Sequence, residues 1–254
     1  MMRAWIRFYA ELNDFLQPGL RGRSIECEFH VSPGVRDVIE SYGVPHTEVD
    51  LVLVNGVSVG FEHRIGGGDR ISVYPVFESI DIQPLLKVRP EPLRVTRFLL
   101  DTHLGRLAAY LRMAGFDARY DNHAADEALA TEAARERRIL LTRDRGLLKR
   151  RAVTHGYCVR ETVPRLQLSE VLLRFDLASS VRPFTRCLVC NGGLREVDHS
   201  EVGDRVPEKI RRLFHQFAVC EYCDKVYWPG THYQRMRRLL DDCLRGSNGP
   251  ASDL

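Results

Sequence analysis

The sequence lacks a long hydrophobic run. No stretch approaches the roughly 20 consecutive apolar residues that a membrane-spanning helix needs. The opening segment MMRAWIRFYAEL carries Arg3, Arg7 and Glu11 within its apolar stretch, whereas a secretory signal requires an uninterrupted apolar run. We therefore expect a cytoplasmic protein. Because that compartment is reducing, its seven cysteines should be thiols or metal ligands rather than disulfides.

A strong excess of charge of one sign is also missing, since the formal net charge is only +3 over 254 residues. The charge is unevenly distributed, however: residues 1–92 sum to −4 and the remainder to +7. A basic second part is expected if that part faces a polyanion. A solvated basic surface without such a partner explains a surplus of this size nearly as well.

Internal repeats are absent, so changes in composition are what divide the chain. Three prolines fall within the run ESIDIQPLLKVRPEPLR, which favours an extended linker over a helix. The run SSVRPFT separates a helical pattern from the first cysteine pair. These breaks predict a multidomain protein of mixed α/β and α+β class, with domains over 1–78, 95–178 and 179–246, a linker over 79–94 and a disordered tail over 247–254.

The first domain alternates apolar and polar residues in IRFYAEL and SIECEFHV, a period typical of strands. Gly34–Tyr42 has helical spacing, and Asn55-Gly56 between two apolar runs is a strong hairpin signal. RISVYPVF supplies a final strand. This order of elements predicts a β-grasp sheet wrapped around one helix.

The runs VLVNGVSV and GDRISVYPVF resemble the ubiquitin-like sulfur-carrier proteins of thiamine and molybdopterin biosynthesis. The resemblance implies chemistry at a C-terminal Gly-Gly that is activated as a thiocarboxylate. Here the matching strand continues from Phe77 into Glu78-Ser79-Ile80, and no terminal glycine pair follows it. We expect a surface for a protein partner or for targeting, with an accessory role in sulfur transfer as the alternative.

In the second domain, strands and helices alternate as in a parallel α/β sheet, and two of the strands end on a carboxylate. VTRFLLD ends on Asp101 and RILLTRD ends on Asp144, while Asp126 opens the helix that follows a third strand. The carboxyl ends of parallel strands meet at one edge, so these side chains should converge, with Mg²⁺ or Mn²⁺ offsetting their repulsion. Capping of turns and helix N-termini explains each aspartate taken singly.

A resemblance covers residues 98–151, from FLLDTHLGRLAAYLRMAGFDARYDN to DEALATEAARERRILLTRDRGLLKRR. This segment is similar to PIN-like nucleases of the Mut-seven C-terminal RNase domain family, whose motifs match at Asp101 with Leu104–Ala108, at Asp126 and at Leu141–Asp144. The resemblance implies hydrolysis of RNA that depends on Mg²⁺ or Mn²⁺, with the three aspartates as ligands. It leaves Glu127 and Glu161 as candidates for a fourth acid. Long members of the family also carry a β-grasp module before this domain and a cysteine ribbon after it.

Several arginines near the expected edge are candidates for contacts with RNA phosphates. They are Arg106, Arg112, Arg143 and Arg145. Solvated helix and turn residues are the more ordinary interpretation of each one. His103, two residues after Asp101, is a weaker candidate for a general base, because a bound cation makes one unnecessary.

The most specific signal is a pair of Cys-x-x-Cys motifs separated by 29 residues. Their members are Cys187, Cys190, Cys220 and Cys223. Two residues between thiols let both reach one tetrahedral ion, and a second pair closes the shell, which predicts structural Zn²⁺ in a zinc ribbon. A disulfide or a thioredoxin-like redox motif is the alternative. The remaining cysteines lack such spacing and are expected to be small buried residues: Cys27, Cys158 and Cys243.

After the second cysteine pair, VYWPGTHYQRMRRLL interleaves aromatic residues with arginines. The aromatic residues are Tyr227, Trp228 and Tyr233, and the arginines are Arg235, Arg237 and Arg238. Interleaving of this kind suits single-stranded RNA, through stacking and phosphate contacts. Packing beneath the zinc site is the alternative for the aromatics and is favoured for Trp228.

These observations predict a metal-dependent ribonuclease whose zinc ribbon helps to hold RNA. The alternative is an RNA- or ribosome-binding protein that uses the same fold without turnover.

Overall fold

The computed structural model describes residues 1–75, 87–88 and 95–247. The linker predicted over 79–94 lies outside the described residues, apart from Lys87 and Val88. The tail predicted over 247–254 also lies outside them, apart from Ser247.

The chain forms two compact units, and each unit is assembled from two separate segments. The first unit combines Met1–Val95 with Ala125–Cys158, and the second combines Thr96–Ala124 with Val159–Leu254. The segment predicted as one nuclease domain therefore contributes to both units.

A five-stranded mixed sheet forms the first part of the first unit. Its strands are β1 (Met2–Phe8), β2 (Ser24–Phe29), β3 (Leu51–Val54), β4 (Val57–Ser58) and β5 (Arg70–Tyr74), in the order β2-β1-β5-β3-β4. β1 runs parallel to β5, and the other pairs are antiparallel. On β1 the side chains alternate, so that Ile6 and Phe8 are buried while Trp5 and Arg7 are exposed. The helix α1 (Val35–Ser41) buries Val35 and Ile39.

The hairpin predicted at Asn55-Gly56 is confirmed and joins β3 to β4. Asn55 has φ 51° and Gly56 has φ 83°, the pair of positive values that a two-residue hairpin turn needs. Asn55 also donates from Nδ2 to Asp69 Oδ1 at 2.8 Å, which ties the turn to the start of β5.

The second segment of the first unit alternates helices and strands. Its elements are α3 (Asp126–Glu136), β8 (Ile139–Thr142), α4 (Arg145–Leu148) and β9 (Gly156–Cys158), where β8 and β9 are parallel. The segment GLLKRRA has a helical pattern in the sequence, and α4 is shorter than this pattern indicates. It ends at Leu148 because three-residue turns follow, from Arg150 N–H to Leu147 and from Val153 N–H to Arg150, and these bring Val153 into the core.

In the second unit the strands β6 (Arg97–Leu100) and β7 (Asp117–Tyr120) are parallel. Between them lies α2 (Gly105–Met113), which buries Leu107, Ala108 and Leu111. The chain turns at Gly115, whose φ is 97° and whose Cβ, if it had one, would lie 2.1 Å from the carbonyl oxygen of Arg182. This position therefore requires glycine both for its backbone conformation and for space.

The cysteine-rich part of the second unit contains a three-stranded antiparallel sheet. The strands of this sheet are β10 (Leu194–Val197), β11 (Phe217–Cys220) and β12 (Val226–Tyr227). The second unit also contains the helices α5 (Pro164–Arg174), α6 (His199–Val202), α7 (Glu208–Leu213) and α8 (Thr231–Ser247). The apolar spacing of residues 208–217 predicts a helix through the whole segment, and this is only partly right. α7 ends at Leu213, and Phe217 opens β11 because its side chain joins a small core with Val197, Val202, Val206 and Val219.

Candidate active site and cysteine cluster

Asp101 follows the last residue of β6 and is only 5% exposed. Its Oδ1 accepts hydrogen bonds from the Thr102 N–H at 2.5 Å and from the Thr102 hydroxyl at 3.1 Å, which caps the short 3-10 helix Thr102–Leu104. A carboxylate has about four lone-pair sites on its two oxygens, which is more than these two capping bonds use.

Gly105 in the LGRLA motif provides space beside this turn. A Cβ at Gly105 would lie 2.7 Å from the hydroxyl oxygen of Tyr120. That hydroxyl in turn lies 2.9 Å from the carbonyl oxygen of Thr102, to which it can donate. The glycine therefore lets Tyr120 brace the turn that carries Asp101.

Asp144 lies two residues beyond the end of β8 and is exposed. Its backbone N–H donates to the Thr142 hydroxyl at 2.9 Å, and its Oδ1 accepts from the Gly146 N–H at 2.7 Å. Asp144 thus caps α4, and hydrogen bonds hold both its backbone N–H and its carboxylate.

The remaining acids of the predicted site are exposed. Asp126 and Glu127 occupy the first turn of α3, where acids complement the helix dipole. Glu161 follows β9 and is exposed, and its N–H donates to Glu170 Oε2 at 3.0 Å. Asp126, Glu127 and Asp144 belong to the first unit, and Asp101 and Glu161 belong to the second.

Arg112 is not available to a substrate, which corrects the prediction that it contacts phosphates. It is 6% exposed. Its Nε donates to the carbonyl of Ala118 at 2.8 Å, and its Nη1 donates to the carbonyls of Leu188 at 3.1 Å and Val189 at 2.8 Å. Arg112 therefore ties α2 and β7 to the first cysteine motif.

The other arginines predicted near the strand ends are exposed: Arg106, Arg143 and Arg145. His103 is exposed as well. Arg145 stands apart because its guanidinium carbon lies 4.9 Å from the centre of the Phe15 ring.

The four cysteines of the two motifs converge. Their sulfur atoms all lie within 4.8 Å of one another, with Cys187 and Cys223 3.6 Å apart and Cys190 and Cys220 3.3 Å apart. Four thiolates around Zn²⁺, each at about 2.3 Å, would stand roughly 3.8 Å apart. The donor set and its spacing therefore fit a tetrahedral zinc ion.

Tyr227 lies beside this cluster. Its hydroxyl oxygen is 3.1 Å from Cys187 Sγ and accepts from the Leu188 N–H at 3.2 Å. Burial alone would raise the pKa of the Cys187 thiol, but hydrogen bonds from Tyr227 and from the backbone N–H groups of Val189 and Cys190 lower that pKa to about 6. For Cys190, burial raises the pKa to about 12. The cluster thus stabilises the thiolate form of Cys187 first.

All three aromatic residues that the sequence offered for stacking on RNA make contacts within the fold. The Tyr227 hydroxyl contacts the sulfur of Cys187, and Trp228 packs against the small core of this region. The centre of the Tyr233 ring lies 4.3 Å from the centre of the Phe184 ring. Packing, the interpretation favoured for Trp228, is confirmed. An exposed aromatic side chain occurs instead at Tyr222, between the second pair of cysteines, and it is 89% exposed. In the sequence, the position of Tyr222 between Cys220 and Cys223 is the feature that could have indicated an exposed aromatic residue.

The arginines of α8 that the sequence offered for RNA contacts lie on the protein surface. Arg235, Arg237 and Arg238 are all exposed, and Arg237 lies 3.7 Å from Asp241 one turn further on. Of the cysteines outside the two motifs, Cys158 and Cys243 are buried as predicted, and Cys27 is half-buried, with its sulfur 3.3 Å from the Ala4 carbonyl.

Comparison with known families identifies two matching models. The Mut7-C RNAse domain model matches residues 96–240, and the Mut7-C ubiquitin model matches residues 1–81. Comparisons with curated proteins and with solved structures found no match. Among the described residues, no helix is long and apolar enough to cross a membrane. The chain therefore belongs to the Mut7-C RNAse domain family, with a Mut7-C ubiquitin domain at its N-terminal end.

Proposed function

We propose that this protein is a divalent-metal-dependent ribonuclease that hydrolyses RNA phosphodiester bonds. The observation that carries the proposal is the Mut7-C RNAse match over residues 96–240, a range that contains Asp101, Asp126 and Asp144. The family indicates a nuclease-type activity, and the metal and the residues are our assignment.

Asp101, Asp126 and Asp144 are the proposed ligands for Mg²⁺ or Mn²⁺, and Glu127 or Glu161 is the proposed fourth acid. Carboxylate oxygens suit these hard cations, which fits the donor set. When bound, the cation supplies positive charge for the phosphodiester and for the attacking water. The capping bonds of Asp101 and Asp144 restrict their carboxylates and so lower the entropic cost of ordering them around a cation.

RNA contacts are proposed for the exposed arginines: Arg106, Arg143, Arg145, Arg235, Arg237 and Arg238. Guanidinium groups bind phosphate with two parallel hydrogen bonds. Tyr222 joins them as a stacking residue for an unpaired base, because its ring is exposed on a constrained turn.

The four cysteines are proposed to hold structural Zn²⁺ in a ribbon over 179–246, which follows a nuclease domain over 95–178 and a β-grasp domain over 1–78. A four-thiol site has no open position for a substrate, so zinc supplies stability rather than chemistry.

The test is cleavage of labelled single-stranded and structured RNAs with added Mg²⁺ or Mn²⁺, using protein that holds one zinc per chain. Asp126→Asn and Asp144→Asn are the informative variants because both side chains are exposed and their loss should leave the fold intact. Asp198→Asn, also exposed, is the matched control. We expect metal-dependent cleavage by wild type and by the control, and a loss of at least about a hundredfold in the two variants.

RNA binding without cleavage by any of these proteins, across metals and substrates, would reject the nuclease. The non-catalytic RNA- or ribosome-binding function would then be the better one.

A further inference from the structure

Arg145 immediately follows Asp144, the proposed ligand, and begins α4. It is exposed, and among the described residues no carboxylate pairs with it. An arginine has five N–H donors in a fixed fork, so the direction of its guanidinium decides which phosphate oxygens it can reach.

Phe15 of the β-grasp domain sets that direction. The Arg145 guanidinium carbon lies 4.9 Å from the centre of the Phe15 ring, and Nη1 donates to the Phe15 carbonyl oxygen at 3.3 Å. Phe15 is only 6% exposed and ends a 3-10 helix, so both its ring and its carbonyl are held rigidly. A guanidinium with a ring against one face and a carbonyl at one nitrogen has few orientations left.

Polar contacts close to Arg145 keep the β-grasp domain attached to this segment. Lys149 Nζ donates to the Glu40 carbonyl at 2.7 Å, and Arg36 Nη2 donates to the Lys149 carbonyl at 3.3 Å. His46 is 6% exposed, and its Nε2 lies 2.8 Å from the Val153 carbonyl oxygen. The β-grasp domain and α4 are therefore parts of one compact unit, which leaves Phe15 little freedom to move away from Arg145.

We propose that the β-grasp domain is a working part of the nuclease site: Phe15 is a positioning residue that orients Arg145 to bind a phosphate of the RNA backbone next to Asp144. The inference rests on the proposed function and assigns the N-terminal domain a role in substrate binding in addition to any partner of its own. Arg145 contacts the substrate, whereas Phe15 acts only through Arg145.

The experiment is a double-mutant cycle with Phe15→Leu and Arg145→Ala. Leucine keeps most of the buried volume and the backbone carbonyl, but it removes the aromatic face. Phe8→Leu is the matched control, because Phe8 is a buried phenylalanine of the same domain, 1% exposed, and Arg145 contacts Phe15 instead. Each protein is assayed for KM and kcat with one single-stranded RNA, and for RNA binding in the inactive Asp126→Asn background.

We expect Phe15→Leu to raise KM and weaken RNA binding about threefold to tenfold with little change in kcat. Arg145→Ala should weaken binding further and reduce the salt dependence by about one counterion. Once Arg145 is alanine, Phe15→Leu should have no additional effect, whereas Phe8→Leu should leave KM unchanged throughout.

Equal effects of Phe15→Leu with and without Arg145, or the same rise in KM from Phe8→Leu, would overturn the inference by showing general destabilisation. Coupled losses in RNA binding without any cleavage by wild type would support the inference and reject only the nuclease. A wild-type protein that binds no RNA would reject both.

Discussion

The Nη1 group of Arg112 donates a hydrogen bond to the carbonyl oxygen of Val189 at 2.8 Å. Val189 lies between Cys187 and Cys190, so a buried cation on α2 holds the backbone of the first cysteine motif. Four thiolates around Zn²⁺ carry a net charge of −2, which a nearby guanidinium offsets. The cysteine cluster and the strand-helix segment that carries Asp101 are thereby joined within one unit.

Replacing Arg112 with methionine should destabilise the second unit. The carbonyls of Ala118, Leu188 and Val189 would lose their donor. A hydrogen bond to a charged group contributes about 1.5–3 kcal/mol to stability. We expect a fall of about 2–4 kcal/mol in the free energy of unfolding and faster zinc release to a chelator. Arg106→Met on the exposed face of the same helix is the control and should change stability by less than about 0.5 kcal/mol. Equal effects of the two substitutions would contradict this role.

Removing the Tyr227 hydroxyl should weaken zinc retention. Tyr227→Phe deletes the group that contacts Cys187 Sγ and leaves the Leu188 N–H without this acceptor. We expect a loss of about 1 kcal/mol in stability and faster metal release. The absorbance of a zinc-sensitive dye would measure the rate of release. Tyr222→Phe, which alters an exposed hydroxyl, should release zinc at the wild-type rate.

Tyr222→Ala should weaken binding of single-stranded RNA and leave the fold intact. Stacking of a base on an aromatic ring contributes about 1–3 kcal/mol, so we expect a loss of roughly fivefold to a hundredfold in affinity by fluorescence anisotropy. Tyr233→Ala, in contrast, removes the partner of Phe184 and should lower the melting temperature. Unchanged affinity in Tyr222→Ala would remove this residue from the RNA surface.

Acid should destabilise the first unit through Glu40. Burial alone would raise the pKa of its carboxyl, but hydrogen bonding to His46 and the nearby Arg36 lower it below its ordinary value of 4.5. A carboxyl whose pKa is lower in the folded than in the unfolded state adds stability above the unfolded value, and that stability is lost as pH falls through the folded pKa. Wild type should therefore lose more stability than Glu40→Gln between about pH 6 and pH 3. Urea unfolding at four pH values would measure this, and a constant difference between the two proteins would contradict it.

The features that sequence predicted correctly depend on neighbours in the chain. Alternation along β1 placed Ile6 and Phe8 inside, and Asn55-Gly56 specified a turn through two positive φ angles. Within each cysteine motif, the spacing of two residues lets both sulfurs reach the same cluster, in which the four sulfurs lie within 4.8 Å of one another. Each of these follows from a local period or a short loop, because strand pleat and turn geometry are set by a few consecutive residues.

Helix ends were predicted less well, because they depend on residues that are distant in the chain. α4 and α7 stop earlier than their patterns indicate because Val153 and Phe217 are drawn into cores built from other elements. An apolar residue after a helix extends the helical pattern in sequence, and only the rest of the fold decides whether it continues the helix.

The sequence by itself determined which residues are candidates for chemistry in this protein: the strand-end aspartates, the four cysteines and the arginines of α8. Only the tertiary structure decided what the other arginines and aromatics do. Arg112 meets Leu188 across 76 positions and Arg145 meets Phe15 across 130, so no periodicity could reveal that one holds a cysteine motif and the other rests on the β-grasp domain. A long cationic or aromatic side chain suits solvent, an interface or a substrate equally well, and its role is set by the neighbours that folding brings to it.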